Sequence, residues 1–138
     1  MSSREAATKR LLMATFAAVA ALWVLGYLAS LLSPGNGVGP SSAFLHLDPI
    51  DLLVTSIAMC LGGYIEGKRF IGVAFAIVCL LWIAIVCALV QIAKPADTLP
   101  YVLAYNRAHI ALSIPAACAG AAIGAWLQMK LAGRRTAV

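Results

Sequence analysis

Charge is the scarcest property of this 138-residue chain. Asp, Glu, Lys and Arg together make up 11% of its residues, whereas apolar residues make up 63%. A water-soluble domain of this size needs more polar surface than these residues provide, so the composition argues against one. The ten basic and five acidic side chains leave a formal net charge of +5. In an apolar protein such an excess is typical of basic residues at anionic lipid headgroups, so a nucleic-acid partner is not predicted.

Sequence motifs of the common catalytic and metal sites are also missing. The chain has no Gly-rich phosphate loop, no nucleophile elbow and no H-E-x-x-H sequence. Its four cysteines lie inside apolar segments and form no C-x-x-C pair, which argues against a disulfide-exchanging enzyme. No spacing of His and Asp repeats as it does in metal or haem ligand sets. The sequence therefore favours a protein that is not an enzyme, and it predicts no metal ion or cofactor.

Long apolar runs dominate what is present. About 20 helical residues cross a hydrocarbon core of about 30 Å, and four segments of the chain reach or approach that length. We predict a single-domain, all-α polytopic membrane protein, residues 1–138, with four transmembrane helices in a compact antiparallel bundle. The predicted helices cover residues of about 11–32, 49–65, 70–92 and 109–130. The first is predicted to be retained, because its apolar run is longer than that of a signal peptide.

Short polar breaks separate these apolar runs. Residues 33–48 are rich in Gly, Pro and Ser and are predicted to form a loop. The sequence CLGGYIEGKRF, residues 60–70, stops the second helix with glycines and begins the third at once, which predicts a tight hairpin. The last apolar segment is too long for one simple span. We therefore expect residues 99–108 to lie at the membrane interface or to protrude from it.

Basic residues are distributed unequally between the two ends of the predicted bundle. The N-terminal tail carries three, the turn between the second and third helices two, and the C-terminal tail three. Only Lys94 and Arg107 belong to the two remaining loops. Because basic residues accumulate on the cytoplasmic side of a membrane, both termini are predicted to be cytoplasmic. Alanine-rich helices and a retained first span point to a bacterial inner membrane.

The predicted cytoplasmic turn contains Glu66, Lys68 and Arg69. A solvated turn is the simplest interpretation, since exposed charges of opposite sign contribute little to stability. The alternative is a docking site, in which the turn and the basic C-terminal tail bind anionic lipid or a soluble partner.

A candidate polar cluster lies at the predicted outer face of the membrane. Its members are His46, Asp48, Asp51, Arg107 and His109. Asp48 and Asp51 also fit the cap and the first turn of the second helix, where a carboxylate meets free backbone N–H groups. A functional site at this rim requires that Asp51, Arg107 and His109 share one cavity.

Small residues form a predicted helix-packing face on the fourth helix. This face consists of Gly120, Gly124, Ala117 and Ala121. The G-x-x-x-G spacing lets two helix backbones approach closely. The face either closes the bundle within one chain or binds another subunit, and both alternatives remain open at this point.

No ionisable residue lies near the middle of a predicted span, which argues against a proton-coupled pump. The leading hypothesis is a non-enzymatic accessory or structural subunit of a larger membrane assembly, whose partners are the lipid bilayer and other membrane subunits. A small homo-oligomeric transporter or channel is the alternative, with Thr55, Ser56 and Ser113 along a shared axis. A membrane enzyme with its site at the outer rim is the second alternative.

Overall fold

The computed structural model of the protein describes residues 3–32, 49–93 and 98–135. These residues form four helices: α1 Ser3–Leu32, α2 Pro49–Glu66, α3 Phe70–Ala93 and α4 Thr98–Arg135. Each helix is long enough and apolar enough to cross a membrane. The prediction of an all-α protein with four candidate transmembrane helices is therefore confirmed for the described part of the chain.

Two of the helices are longer than the spans predicted within them. α1 begins at Ser3 and includes polar residues that precede position 11. α4 begins at Thr98, so residues 99–108 are helical and continuous with the last span. At about 1.5 Å per residue, a helix of this length extends for about 57 Å, roughly twice the hydrocarbon core. Hydrophobicity marks the lipid-embedded part of a helix, and it does not reveal the polar turns that prolong it.

The closest helix pair is α2 with α4. Gly120 lies directly against the backbone carbonyl of Ser56. One turn later, Gly124 lies against the carbonyl of Cys60, so the residue numbers rise together and the two helices run in parallel. A Cβ atom at either glycine would overlap that carbonyl oxygen. The contact between these backbones is possible only because both positions have hydrogen as the side chain.

Small residues also make up most of the core around this pair. α1 packs mainly on α2, and α3 packs mainly on α4. Met59 and Phe70 are the largest fully buried side chains, and Val78 is buried with them. The other buried apolar residues of the described helices are alanines: Ala14, Ala18, Ala58, Ala74, Ala117, Ala121 and Ala125. Because lipid tails are as apolar as these side chains, close van der Waals contact stabilises the bundle more than burial from water does.

The reversal between α2 and α3 is completed within three residues. Gly67 has a φ of +83°, in the left-handed region that favours glycine. Its N–H donates to the carbonyl of Gly63 over 2.8 Å, and its own carbonyl accepts from the N–H of Phe70 over 3.0 Å. A glycine with this geometry is a common end of a helix. The short hairpin expected from the sequence is present at this position.

Gly67→Ala is expected to lower the free energy of unfolding by about 1–2 kcal/mol, because an L side chain disfavours this backbone conformation. Its Cβ would also lie 2.6 Å from Oε1 of Gln128. In a Gln128→Ala background the steric contribution disappears and the backbone contribution remains, so the loss should become smaller without vanishing. Unfolding in SDS, followed by circular dichroism, measures both losses. Equal stability of Gly67→Ala and the wild type would contradict the turn geometry.

Candidate functional site

A pocket of about 270 Å³ lies between the four helices, toward the end of the bundle opposite the α2–α3 turn. Each helix contributes to its wall, and we call it the four-helix pocket. Its polar side chains are Asp51, Thr55, Trp82, His109 and Ser113. Apolar residues form the rest of the wall. A small polar group could therefore bind there beside largely apolar walls.

Contacts between α3 and α4 fix one side of the four-helix pocket. The indole N–H of Trp82 donates a hydrogen bond to Oγ of Ser113 over 2.7 Å. The hydroxyl of Ser113 in turn donates to the carbonyl of Ile110 over 3.1 Å. The rings of Trp82 and His109 meet edge to face, with centroids 5.5 Å apart. These contacts hold the indole as a wall of the pocket and limit the movement of the imidazole.

The first turn of α2 contributes a carboxylate to the same pocket. Asp51 is exposed and lies where the helix N-terminus favours negative charge. The hydroxyl of Thr55 donates to the carbonyl of Asp51 over 2.8 Å. The threonine hydroxyl is thus bonded within its own helix, and Asp51 is an exposed residue of the pocket wall.

Ser113→Ala is expected to lower the free energy of unfolding by about 0.6 kcal/mol, the average for hydrogen bonds between membrane helices, and by no more than about 1.7 kcal/mol, the largest such value. The loss follows because the indole N–H of Trp82 would have no acceptor in this position. The emission of Trp82 should shift as well, measured with Trp23 and Trp126 replaced by Phe. Thr15→Ala is the control, since the hydroxyl of Thr15 donates to the carbonyl of Leu11 within its own helix. An unchanged Trp82 spectrum in Ser113→Ala would contradict the contact.

The structure brings two members of the candidate polar cluster together. Asp51 and His109 both line the four-helix pocket. Arg107 is exposed and is not among the residues that line it. His46 and Asp48 lie outside the described residues. The predicted meeting of three side chains at the rim is therefore limited, in the described helices, to one carboxylate and one imidazole.

Trp82 is the functional-site residue that the sequence analysis did not select. It lies in a continuous apolar run, where an aromatic residue is usually interpreted as core. The sequence did contain one indication of its role, the indole N–H group, since a buried indole normally has a hydrogen-bond partner on a neighbouring element. Ser113, which was considered only as a pore residue, is that partner.

The predicted helix-packing face lies inside the chain. Gly120 and Gly124 contact the backbone of α2. Ala117 and Ala121 are buried. In the described helices this face is occupied by α2, so a second subunit would have to use another surface.

The predicted turn residues line a second pocket, of about 600 Å³, at the opposite end of the bundle. Glu66, Lys68 and Arg69 contribute to it together with Arg10 of α1 and Gln128 of α4. The two cations of the turn are exposed, and Glu66 is half-buried. We call this cavity the turn-end pocket. Its lining shows that the start of α1, the turn and the last part of α4 meet at one end of the bundle.

The described side chains of the four-helix pocket are hydrogen-bonding groups of several kinds. The pocket contains one carboxylate, one imidazole, two hydroxyl groups and one indole N–H. Across the described helices, no three His, Cys, Asp or Glu residues are grouped as metal ligands would be. This arrangement can form hydrogen bonds to a small polar or cationic group. In comparisons with known proteins, the chain matches no protein-family model, no curated protein and no solved structure.

Proposed function

We propose that the protein is a non-enzymatic accessory or structural subunit of a larger membrane assembly. An exposed row of large side chains on α1 carries this proposal. The row, which we call the α1 stripe, consists of Leu12, Phe16, Val19, Trp23 and Tyr27. Phe16 is 77% exposed and Trp23 is 74% exposed, although both rings are large enough to anchor a contact.

The spacing of the α1 stripe fits a partner helix. Steps of four, three, four and four residues keep the side chains on one face, as in the seam between two packed helices. The most apolar part of α1 is 11% buried inside the chain, the same share as in α3, so the three large rings in one row, rather than exposure alone, distinguish α1. α1 itself rests on α2, and α2 is held to α4 by the glycine contacts. A rigid base with an outward row of rings is a suitable docking surface for another membrane subunit.

Native mass spectrometry after gentle extraction from the protein's own membrane tests this proposal. A stoichiometric complex with different membrane proteins is expected for the wild type. The complex should be lost in the variant Phe16→Ala/Trp23→Ala, because the two anchoring rings are removed. The control variant Phe75→Ala/Ile83→Ala truncates exposed side chains of α3 instead and should keep the complex. Detection of the chain alone, or of copies of itself, would oppose the subunit function.

We also propose that the helices form a compact bundle in a bacterial inner membrane, with both termini in the cytoplasm. The unequal distribution of basic residues supports this orientation. A fluorescent protein fused to the C-terminus is expected to fluoresce, and alkaline phosphatase fused there is expected to be inactive. Activity of the phosphatase fusion would reverse the proposed orientation.

The positions of three hydroxyl groups do not favour an oligomeric pore. Thr55 and Ser113 line the four-helix pocket within one chain. The hydroxyl of Ser56 donates to the carbonyl of Ala116 over 3.0 Å, across the contact between α2 and α4. A pore along a shared axis would need polar side chains on an outer face, and these three are directed to contacts inside the chain.

A membrane enzyme with its site at the rim is the second candidate function. Of the three side chains that this function requires, the four-helix pocket contains Asp51 and His109 but not Arg107, so its support is limited to a carboxylate and an imidazole, the usual groups for proton transfer. Incubation of the purified protein with lipids of its own membrane, followed by mass spectrometry, is the test. Lipid turnover by the wild type and its loss in Asp51→Asn/His109→Gln would support catalysis. Unchanged lipids with the wild type would remove lipid chemistry from consideration.

A further inference from the structure

The turn-end pocket has an excess of positive charge. Arg10, Lys68 and Arg69 line it with a single carboxylate, that of Glu66, so cations exceed anions by two. All three cationic side chains are exposed and accessible to a ligand. Guanidinium groups bind phosphate oxygens through paired N–H groups, and an ammonium group adds a point charge. The pocket therefore has the chemistry to bind a phosphate-bearing anion.

An apolar groove of about 790 Å³ lies beside the turn-end pocket, between α1 and α2. Three helices contribute its walls, principally through Ala17, Ala21, Ile57, Leu61, Tyr64 and Leu127. The groove and the pocket are lined by the same three helices, α1, α2 and α4. Arg10 in the pocket and Ala17 in the groove are two turns apart on one face of α1. On α4, Leu127 lines the groove and Gln128 lines the pocket, so the two cavities reach the same level of that helix.

We propose that this pocket and groove together bind one anionic glycerophospholipid. Its phosphate lies among Arg10, Lys68 and Arg69, and one acyl chain lies in the groove between α1 and α2. The order of the two cavities matches that of a lipid, because Lys68 and Arg69 lie in the turn at the end of the bundle and the apolar groove extends toward the middle of the helices. A free phosphate would use the pocket alone. The adjoining groove is therefore the reason to assign a lipid, and the assignment does not depend on the subunit function.

Lipid titration of the purified protein in detergent tests the proposal. Native mass spectrometry counts the lipids bound to each 14.4 kDa chain, with phosphatidylglycerol and phosphatidylcholine of identical acyl chains as the probes. The wild type is expected to bind one phosphatidylglycerol about tenfold more tightly than phosphatidylcholine. Arg10→Gln/Lys68→Gln should abolish most of that preference. Absence of a preference in the wild type would overturn the proposal.

A matched variant separates a specific site from general attraction between a basic surface and acidic lipid. Arg4→Gln/Lys130→Gln also removes one Arg and one Lys, but neither residue lines the pocket. Lys130 instead lies over the ring of Trp126, 4.7 Å from its centre. This control should keep its preference for phosphatidylglycerol to within about threefold. Equal losses of lipid preference in the two double variants would overturn the site. If a double variant does not fold, Lys68→Gln alone, on the exposed turn, provides the comparison.

Filling the groove distinguishes a lipid from a soluble phosphate. Ala17→Leu places a larger side chain in the groove and should weaken phosphatidylglycerol binding by about tenfold, while leaving the binding of glycerol phosphate unchanged. Ala84→Leu, on an exposed position of α3, is the control and should change neither. If glycerol phosphate binds as tightly as the lipid, or if Ala17→Leu has no effect on the lipid, the acyl chain does not occupy the groove.

Discussion

Gly124→Ala is expected to lower the free energy of unfolding by about 3 kcal/mol, at the upper end of the usual cost of overpacking. The added Cβ would overlap the carbonyl oxygen of Cys60 and would lie 2.7 Å from the backbone nitrogen of Tyr64. Backbone atoms of a helix cannot rotate away as a flexible side chain can. α2 and α4 would therefore have to separate, with loss of van der Waals contact along the interface.

Other glycines of the chain provide controls for the same chemical change. A Cβ at Gly26 or at Gly72 would have no heavy atom within 4 Å. Gly26→Ala and Gly72→Ala should therefore be neutral or slightly stabilising, since alanine favours a helix more than glycine does. Unfolding in SDS, followed by circular dichroism, compares all three variants. A Gly124→Ala protein that behaves like Gly26→Ala would show that α2 and α4 are not in backbone contact.

A second glycine tests whether the loss comes from separation of the helices. Gly120→Ala alone should also be destabilising, because its Cβ would overlap the carbonyl of Ser56. Once one alanine has separated α2 from α4, the second has more space. The double variant Gly120→Ala/Gly124→Ala should therefore cost less than the sum of the single losses, by roughly 1 kcal/mol or more. Strict additivity would indicate that each glycine contributes only through local helix geometry.

The sequence could predict that α4 has a close helix contact but not which helix provides the partner. G-x-x-x-G spacing identifies one side of such an interface. The other side consists of the carbonyl groups of Ser56 and Cys60, and every residue has a carbonyl group. α2 also contributes Gly63, which lies against the backbone of Ala121, but a glycine just before a turn does not by itself distinguish a packing surface from a helix end. Only the path of the backbones in space shows that the contact lies within one chain.

Helix ends were predictable where the chain carries a local signal. Pro49 and Gly67 mark the start and the end of α2, and Phe70 follows the turn at the start of α3. α1 and α4 carry no such signal at the membrane surface, so their polar turns extended beyond the predicted spans. The residues of the candidate site divide in the same way. Asp51 and His109 could be selected from the sequence because they are ionisable residues near the ends of spans. Trp82 could not, because its role depends on a hydrogen-bond partner 31 positions away.

Phe70→Ala is expected to lower the free energy of unfolding by about 3 kcal/mol, the lower end of the cost of removing a buried ring. Phe70 is fully buried at the start of α3, and its ring lies against Gly62 of α2. A Cβ at Gly62 would overlap Cε1 and Cζ of that ring. Gly62→Ala should therefore also be destabilising, by about 1–3 kcal/mol, because the buried ring has little space into which to move.

The double variant distinguishes a shared contact from two separate defects. In Gly62→Ala/Phe70→Ala the new methyl group occupies part of the space that the ring has left. The double loss should therefore be smaller than the sum of the single losses by about 1–2 kcal/mol, measured by unfolding in SDS. Gly72→Ala combined with Phe70→Ala is the control cycle and should be additive, since a Cβ at Gly72 has no neighbour within 4 Å. Additivity in both cycles would mean that Gly62 and Phe70 are not in contact. Coupling in the Gly62/Phe70 cycle alone would establish that the ring of Phe70 on α3 packs against Gly62 on α2 beside the turn.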